Sequence, residues 1–468
     1  MPPVVITGAR GVPRNSERLR PIKTTNLRLG AVLVFVGVSL AACRTECRST
    51  NAGKIPPTAD DPPLTCPLVM PPDPHEGERV ACAFGPGATA EETLGIPPQL
   101  AGELPVRHVI VVMRENRSFD HLFGGLRNLQ PEADLPPESF FNVDPHGKVV
   151  VPFRASSTCP GTNPEHQWDG MHKGVNGGAM DGFVKNAAAA FSTGHDTMSF
   201  FDESHLPFQT WMASTFALND RHFASVRSGT YPNRLFLLMG TNDGVKETGS
   251  ARPKAATPTL FQALEGAGLT WAAYSDGDML SGALGWDSNS AGCYCLDDFF
   301  ARLDSGTLPN VVFVDGIPDY DDDHPPADLQ KGEAWTRAIY ERVVQSPQWP
   351  RTAMVWMYDE GGGFADHVPP PDACVARPGT VDDAYFALGP RVPFVVVSPW
   401  AKPHSVSHVV QEHTAVTRFI ETVFGLPALT ARDANSPALL DMFDFSSCTP
   451  PMLVPPEPPP AGTGGCGD

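Results

Sequence analysis

The sequence predicts an α/β domain with a mostly parallel central sheet covered by helices on both faces. Short β-rich runs that are apolar on both faces alternate with helical patterns, as a buried parallel sheet requires. Two of those runs end in clusters of oxygen-bearing side chains, Glu115-Asn116 and Asp359-Glu360. In open α/β sheets ligands gather beyond the carboxyl ends of the strands, so the pattern that predicts the fold also predicts where the site lies.

At the N-terminus, Arg10, Arg14, Arg18, Arg20, Lys23 and Arg28 precede the apolar run 31–38, which meets Ser39-Leu40-Ala41-Ala42-Cys43. The run is short for a membrane span and reads as an export signal over residues 1–42. Leu40-Ala41-Ala42-Cys43 resembles the bacterial lipobox. That resemblance implies lipidation of Cys43 and an exported protein held to the membrane by a lipid anchor; plain secretion with Cys43 as a disulfide partner is the alternative. Residues 43–104 are rich in Pro, Thr, Asp and Gly without apolar periodicity and predict a tether. Strands are predicted over 106–113, 269–274, 311–314, 353–358 and 393–397. Helices are predicted over 259–266, stopped by Gly268, over 333–344, and over 414–424, stopped by Gly425. These elements define one catalytic domain over 105–447, followed by a Pro/Gly-rich tail over 448–468.

The chain has 468 residues, and its 34 Lys+Arg against 53 Asp+Glu leave a net charge of −19. Such a surface repels nucleic acid and anionic membrane, yet a bound divalent cation can reverse the field locally for a phosphate ester. Ten cysteines suit an exported chain in which disulfides persist. Cys293 and Cys295 are too closely spaced for an easy mutual bridge or a zinc knuckle, so separate partners and no zinc are expected.

Glu115, Asn116, Asp359 and Glu360 form a donor set suited to a hard divalent ion such as Ca²⁺, Mg²⁺ or Mn²⁺. Ser118 reads as the cap of a helix starting at Phe119. In Ser228-Gly229-Thr230-Tyr231-Pro232-Asn233-Arg234, Pro232 suits the first residue of a helix. Thr230 then lies at a helix N-terminus, where free N–H groups favour phosphate. Ser228 is a rival hydroxyl. Asn233 and Arg234 support the loop or reach phosphate oxygens, Arg with the fork geometry for a bidentate contact.

Four strings carry a family resemblance: ENRSFDH at 115–121, GTYPNR at 229–234, HPP at 324–326 and YDEGGGFADHVPPP at 358–371. In that order they resemble the bacterial phosphoesterase family that holds the non-haemolytic phospholipases C and a group of acid phosphatases, related in fold to alkaline phosphatase. The resemblance runs from about Val106 to Leu426. It implies that Glu115, Asn116, Asp359 and Glu360 line a metal, that Thr230 is the nucleophile, and that His166, His324, His367 and His172 serve the phosphate. An unperturbed histidine titrates where a proton carrier must. His195, His205, His222, His404, His408 and His413 lie outside the strings and read as structural or surface groups. The segment Asp220-Arg221-His222-Phe223 departs from the family's aromatic pair, an expected change in the pocket wall. The function implied is metal-dependent hydrolysis of a phospholipid or other phosphate ester through a phosphoryl-threonine, phospholipase C-like. Acid phosphatase action on monoesters and a non-catalytic surface-binding lipoprotein are the alternatives.

Overall fold

The computed structural model describes residues 65–462 apart from 160, 192, 278 and 286–291, so the export signal and Cys43 lie outside the described residues. Eight strands make the central sheet: β1 (His108–Arg114), β2 (Ala217–Asn219), β3 (Trp271–Ser275), β4 (Cys293–Tyr294), β5 (Val311–Asp315), β6 (Thr352–Tyr358), β7 (Phe394–Val397) and β8 (Val406–Ser407). Their spatial order is β8-β2-β7-β6-β1-β5-β3-β4. All neighbours run parallel except β7, which is antiparallel to both β6 and β2. The five predicted strands are all present. The short strands β2, β4 and β8 were not predicted, because two or three residues carry too little alternation to register.

The central pair β1 and β6 is buried along its whole length. Each large apolar side chain withdrawn from water there contributes roughly 1.5–3 kcal/mol. Five helices frame the site or support it: α1 (Phe119–Phe123), α2 (Trp168–Val175), α3 (Thr230–Met239), α4 (Leu329–Gln345) and α5 (His413–Phe424). Ser118 caps α1 as expected, its side chain accepting from the His121 N–H at 3.2 Å. Helix α4 starts earlier than predicted because Asp328 caps it, accepting from the Gln330 N–H. Helix α5 ends at Gly425, which takes the left-handed conformation at φ 67°.

Residues 65–104 do not behave as the expected tether. They form three short helices, Glu76–Val80, Ala90–Leu94 and Pro98–Glu103. Leu94, Ile96 and Ala101 share an apolar cluster with Ala438, Arg418 donates to the Thr93 hydroxyl, and Cys66 and Cys82 are bonded to Cys448 and Cys374. The described part of the C-terminal tail is attached too: Trp349 Nε1 donates to the Leu453 carbonyl at 3.0 Å and the Gly462 N–H to the Glu333 carboxylate at 2.6 Å. Cross-links and polar ties hold these segments where a periodic apolar face is missing, which is why composition alone misread them. Among the described residues no helix is long and apolar enough to cross a membrane.

Candidate active site

The sheet register brings the acidic residues together. Met113 of β1 lies between Asp315 of β5 and Met357 of β6, and Arg114 pairs with Tyr358. The next residues, Glu115 and Asp359, therefore leave the sheet side by side, with Asp315 closing the strand beyond. The Asp359 N–H donates to the Arg114 carbonyl at 3.1 Å and the Glu115 N–H to the Asp322 carbonyl at 2.9 Å. Glu115, Asn116, Asp359 and Glu360 are all buried. Asn116 turns the chain at φ 67°, a conformation asparagine tolerates better than most residues. Its carbonyl lies 2.1 Å from where a Cβ on Gly362 would sit, so only glycine fits there.

Gly229 caps α3 and Thr230 is its first residue, with Pro232 third rather than first; a proline in the first turn removes an N–H that had no partner anyway. The Thr230 hydroxyl lies 3.5 Å from Asn116 Oδ1 and also hydrogen-bonds the Asp359 carboxylate. Ser228 differs: its hydroxyl donates to the Lys246 carbonyl at 2.5 Å. Asn233 spends its side chain on the loop, accepting from the Val226 N–H and donating to the Ser228 and Gly229 carbonyls, each at 2.9 Å. Arg234 is buried, with Nη2 3.0 Å from Glu115, Nε 3.5 Å from Asp359, and Nη1 on Asp315. Of the two expected roles, Asn233 thus supports the loop, and Arg234 holds the carboxylate cluster. A buried carboxylate cluster needs the guanidinium more than a solvated ligand does.

Burial pushes Asp359 up to about 6. It carries Glu115 and Glu360 well above the usual carboxylate range, with the Asp359 charge adding to both. Burial opposes the charge of Arg234, yet Asp315, Glu115 and Asp359 together hold it above its ordinary value. One guanidinium serves three carboxylates, and the fourth, Glu360, has its Oε1 buried without a hydrogen-bond partner. Oxygen donors, surplus negative charge and an unpartnered buried acceptor fit a hard divalent cation held by Glu115, Asn116, Asp359 and Glu360.

A second cluster, Asp120, Asp366 and His367, also has metal-ligand atoms within 4.8 Å of one another. Its oxygens are already engaged. Arg391 donates to Asp120 at 2.7 Å and to Asp366 at 2.9 Å, Asp366 also accepts from the Val368 N–H at 2.9 Å, and Asp120 accepts from both the N–H and Nδ1 of His367 at 2.7 Å. Arg391 occupies the place of a cation, and the cluster is an ion-pair clamp.

Of the four expected histidines, His166 reaches the quartet and His324 lies beside His166. His166 Nδ1–H donates to the Pro164 carbonyl at 2.7 Å, which leaves Nε2 unprotonated, 3.4 Å from Asn116 Nδ2 and 3.7 Å from Glu360. The ring of His324 lies 6.1 Å from that of His166, with Nδ1 2.8 Å from the Asp319 carboxylate. His172 instead donates from Nδ1 to the Trp168 carbonyl at 2.7 Å. His367 has its ring nitrogens on Asp120 and Asp134, at 2.7 and 3.1 Å. Among the described contacts neither His172 nor His367 reaches Thr230 or the quartet.

Sequence reading missed Asp315 and Asp322. An acid closing the run 311–314 was the available signal for the first, and the triplet 321–323 before His324 for the second, which burial pushes up to about 7. His413, expected to be structural, donates from Nε2 to the Asp359 carbonyl at 2.6 Å, and burial lowers it to about 4. His222 is buried against Phe394 with ring centroids 4.0 Å apart and lies 3.2 Å from His413.

The family model described as the Phosphoesterase family matches residues 106–427. The chain is 31% identical over 380 residues to non-specific phospholipase C3 of Arabidopsis thaliana, covering 70% of this chain and 72% of that protein. It is 30% identical over 432 residues to phospholipase C B of Mycobacterium tuberculosis, covering 77% and 82%. With non-hemolytic phospholipase C of Pseudomonas aeruginosa it shares 29% identity over 411 residues, 75% of this chain and 58% of that protein. Among solved structures, the phosphonate monoester hydrolase of Agrobacterium radiobacter aligns with a TM-score of 0.36 at 9% identity, covering 69% of this chain and 74% of that one.

Proposed function

The chain belongs to the phosphoesterase family, and from that membership we propose that it is a metal-dependent, phospholipase C-like hydrolase in which Thr230 attacks phosphorus. The observation that carries the reading is the meeting of the Thr230 hydroxyl with Asn116 and the buried Asp359 carboxylate, in an acidic cluster whose charge Arg234 alone does not balance. A divalent cation held by Glu115, Asn116, Asp359 and Glu360 would supply Lewis acidity toward the hydroxyl and the phosphoryl oxygens.

In the first half-reaction the Thr230 Oγ–P bond forms as the bond from phosphorus to the leaving oxygen breaks, which gives a phosphoryl-threonine and a free alcohol. In the second, water attacks phosphorus and the Oγ–P bond breaks, restoring the hydroxyl. The positive end of α3, whose first residue is Thr230, receives negative charge on the phosphoryl oxygens. Burial keeps His166 and His324 below the ordinary histidine value, so near neutral pH both are proton acceptors. His166, with Nε2 open, takes the proton that Thr230 loses and returns it to the leaving oxygen. The lipobox-like string ending at Cys43 supports export and a lipid anchor. Fatty-acid labelling of wild type against Cys43→Ser tests that part, and equal labelling rules it out.

The activity is tested on signal-free protein offered a chromogenic phosphomonoester, a chromogenic phosphorylcholine diester and phosphatidylcholine vesicles. Diester and vesicle turnover that stops on chelation and in Thr230→Ala is the expected result. Preference for the monoester with an acid optimum would place the protein with the acid phosphatases. Undiminished turnover in Thr230→Ala would sink the covalent mechanism.

A further inference from the structure

Gln167 follows His166 and caps α2, and its carboxamide lies against the residue that precedes the nucleophile. A Cβ built on Gly229 would sit 2.6 Å from Gln167 Nε2 and 2.7 Å from Oε1. The absent side chain at Gly229 is what lets the amide approach the start of α3. The amide's direction is set from the other side: the Thr248 N–H donates to Gln167 Oε1 at 2.9 Å. Thr248 is itself tied to α3, its hydroxyl accepting from the Tyr231 N–H at 3.1 Å. An amide whose oxygen is fixed by a donor must turn its NH2 away from that donor. Among the described residues Gln167 Nε2 has no acceptor, while Oε1 is held.

We infer that Gln167 is a further catalytic residue, whose Nε2 donates a hydrogen bond to a non-bridging phosphoryl oxygen during transfer to and from Thr230. This rests on the reading of Thr230 as nucleophile. A fixed amide donor beside an attacked centre acts as one arm of an oxyanion hole: it is already aimed, so no reorganisation is needed when charge builds on oxygen. Thr248 does the aiming. Both residues and Gly229 form one unit with the first turn of α3, so the donor moves with the nucleophile.

The test uses Gln167→Ala and Gln167→Glu. The glutamate keeps the shape and an oxygen to accept from the Thr248 N–H, but it replaces the donor with an anion, which separates a catalytic from a packing role. Turnover of the soluble chromogenic ester that wild type prefers should fall about 10- to 100-fold in Gln167→Ala and further in Gln167→Glu, with KM changed less than about threefold. Affinity for vanadate, which takes up the five-coordinate geometry of transfer, should fall in parallel, while inhibition by inorganic phosphate falls less. Melting temperature reports on the fold of both variants. Turnover and vanadate affinity within twofold of wild type in Gln167→Glu would overturn the inference, as would an equal loss of vanadate and phosphate affinity in both variants. The premise fails separately: full turnover in Thr230→Ala removes the nucleophile whatever Gln167 does.

Discussion

Two hydroxyls lie two residues apart where the loop enters α3, and their partners separate them. Ser228 donates to a carbonyl 18 residues downstream, Thr230 faces an asparagine 114 residues upstream. Thr230→Ala should therefore lower turnover by at least about 10³-fold, while Thr230→Ser keeps it within roughly tenfold, because the hydroxyl does the chemistry and the methyl only packs. Ser228→Ala should leave turnover within about threefold and lower stability by about 1–3 kcal/mol, because the Lys246 carbonyl loses its donor. Steady-state kinetics and urea denaturation of the three variants check both halves. A Ser228→Ala protein as inactive as Thr230→Ala would reverse the assignment. The sequence held both hydroxyls open for a physical reason: a side chain's role is decided by what lies across from it, and neither partner is in its own window.

At the scale of elements, the loops leaving β1 and β6 are locked together by Arg391, Asp120, Asp366 and His367. Burial opposes the charge on His367, but the hydrogen bond and charge of Asp120, with Asp366, raise it above the ordinary histidine value against the opposing Arg391. Asp134 also faces the ring, 3.1 Å from Nε2. A histidine raised on folding contributes stability that is fully present below its unfolded value near 6.5 and is lost as pH climbs through the folded value. Wild type should accordingly melt well above His367→Gln at pH 5.5, and the gap should narrow by pH 8.5. A gap that is constant or widens with pH would show that His367 is not charged in the clamp. Only the strand half of this arrangement was legible: the apolar runs and the acids at their ends are local, whereas the DHVPP string gave no sign that its histidine turns away from Thr230.

For the whole molecule, the buried carboxylates cost stability, and a cation held by them would offset that cost. Burial raises Asp359 to about 6 and also holds Glu115 and Glu360 well above the usual carboxylate range. Carboxyls raised on folding stabilise the fold while protonated, and that contribution is lost as pH rises from their ordinary range through the folded values. Chelated protein should thus lose melting temperature between pH 5 and pH 8. The increment restored by Ca²⁺, Mg²⁺ or Mn²⁺ should grow over the same interval, since protons compete for the donors in acid. An increment independent of pH, read by differential scanning, would argue that the cation binds elsewhere. The bridges Cys66–Cys448 and Cys82–Cys374 span 382 and 292 residues. Replacing Cys82 and Cys374 together by serine should cost about 2–5 kcal/mol in denaturation. No change would mean that residues 65–104 act as a tether after all.

The sequence by itself determined the α/β class, the five principal strands, three of the helices among them and the two pairs of oxygen-bearing residues at the strand ends. Each of these is written in a window of ten or so residues, as apolar periodicity or as chemistry at a strand end. Tertiary structure alone decided that Thr230 rather than Ser228 lies against Asn116 and Asp359, that His166 reaches Asn116 and Glu360 with His324 beside it, and that Arg234 pairs with Glu115, Asp315 and Asp359. It also decided that 65–104 packs on the body. In every such case the deciding partner is remote in the chain, and burial makes that partner's charge or hydrogen bond count for more than anything in the local sequence.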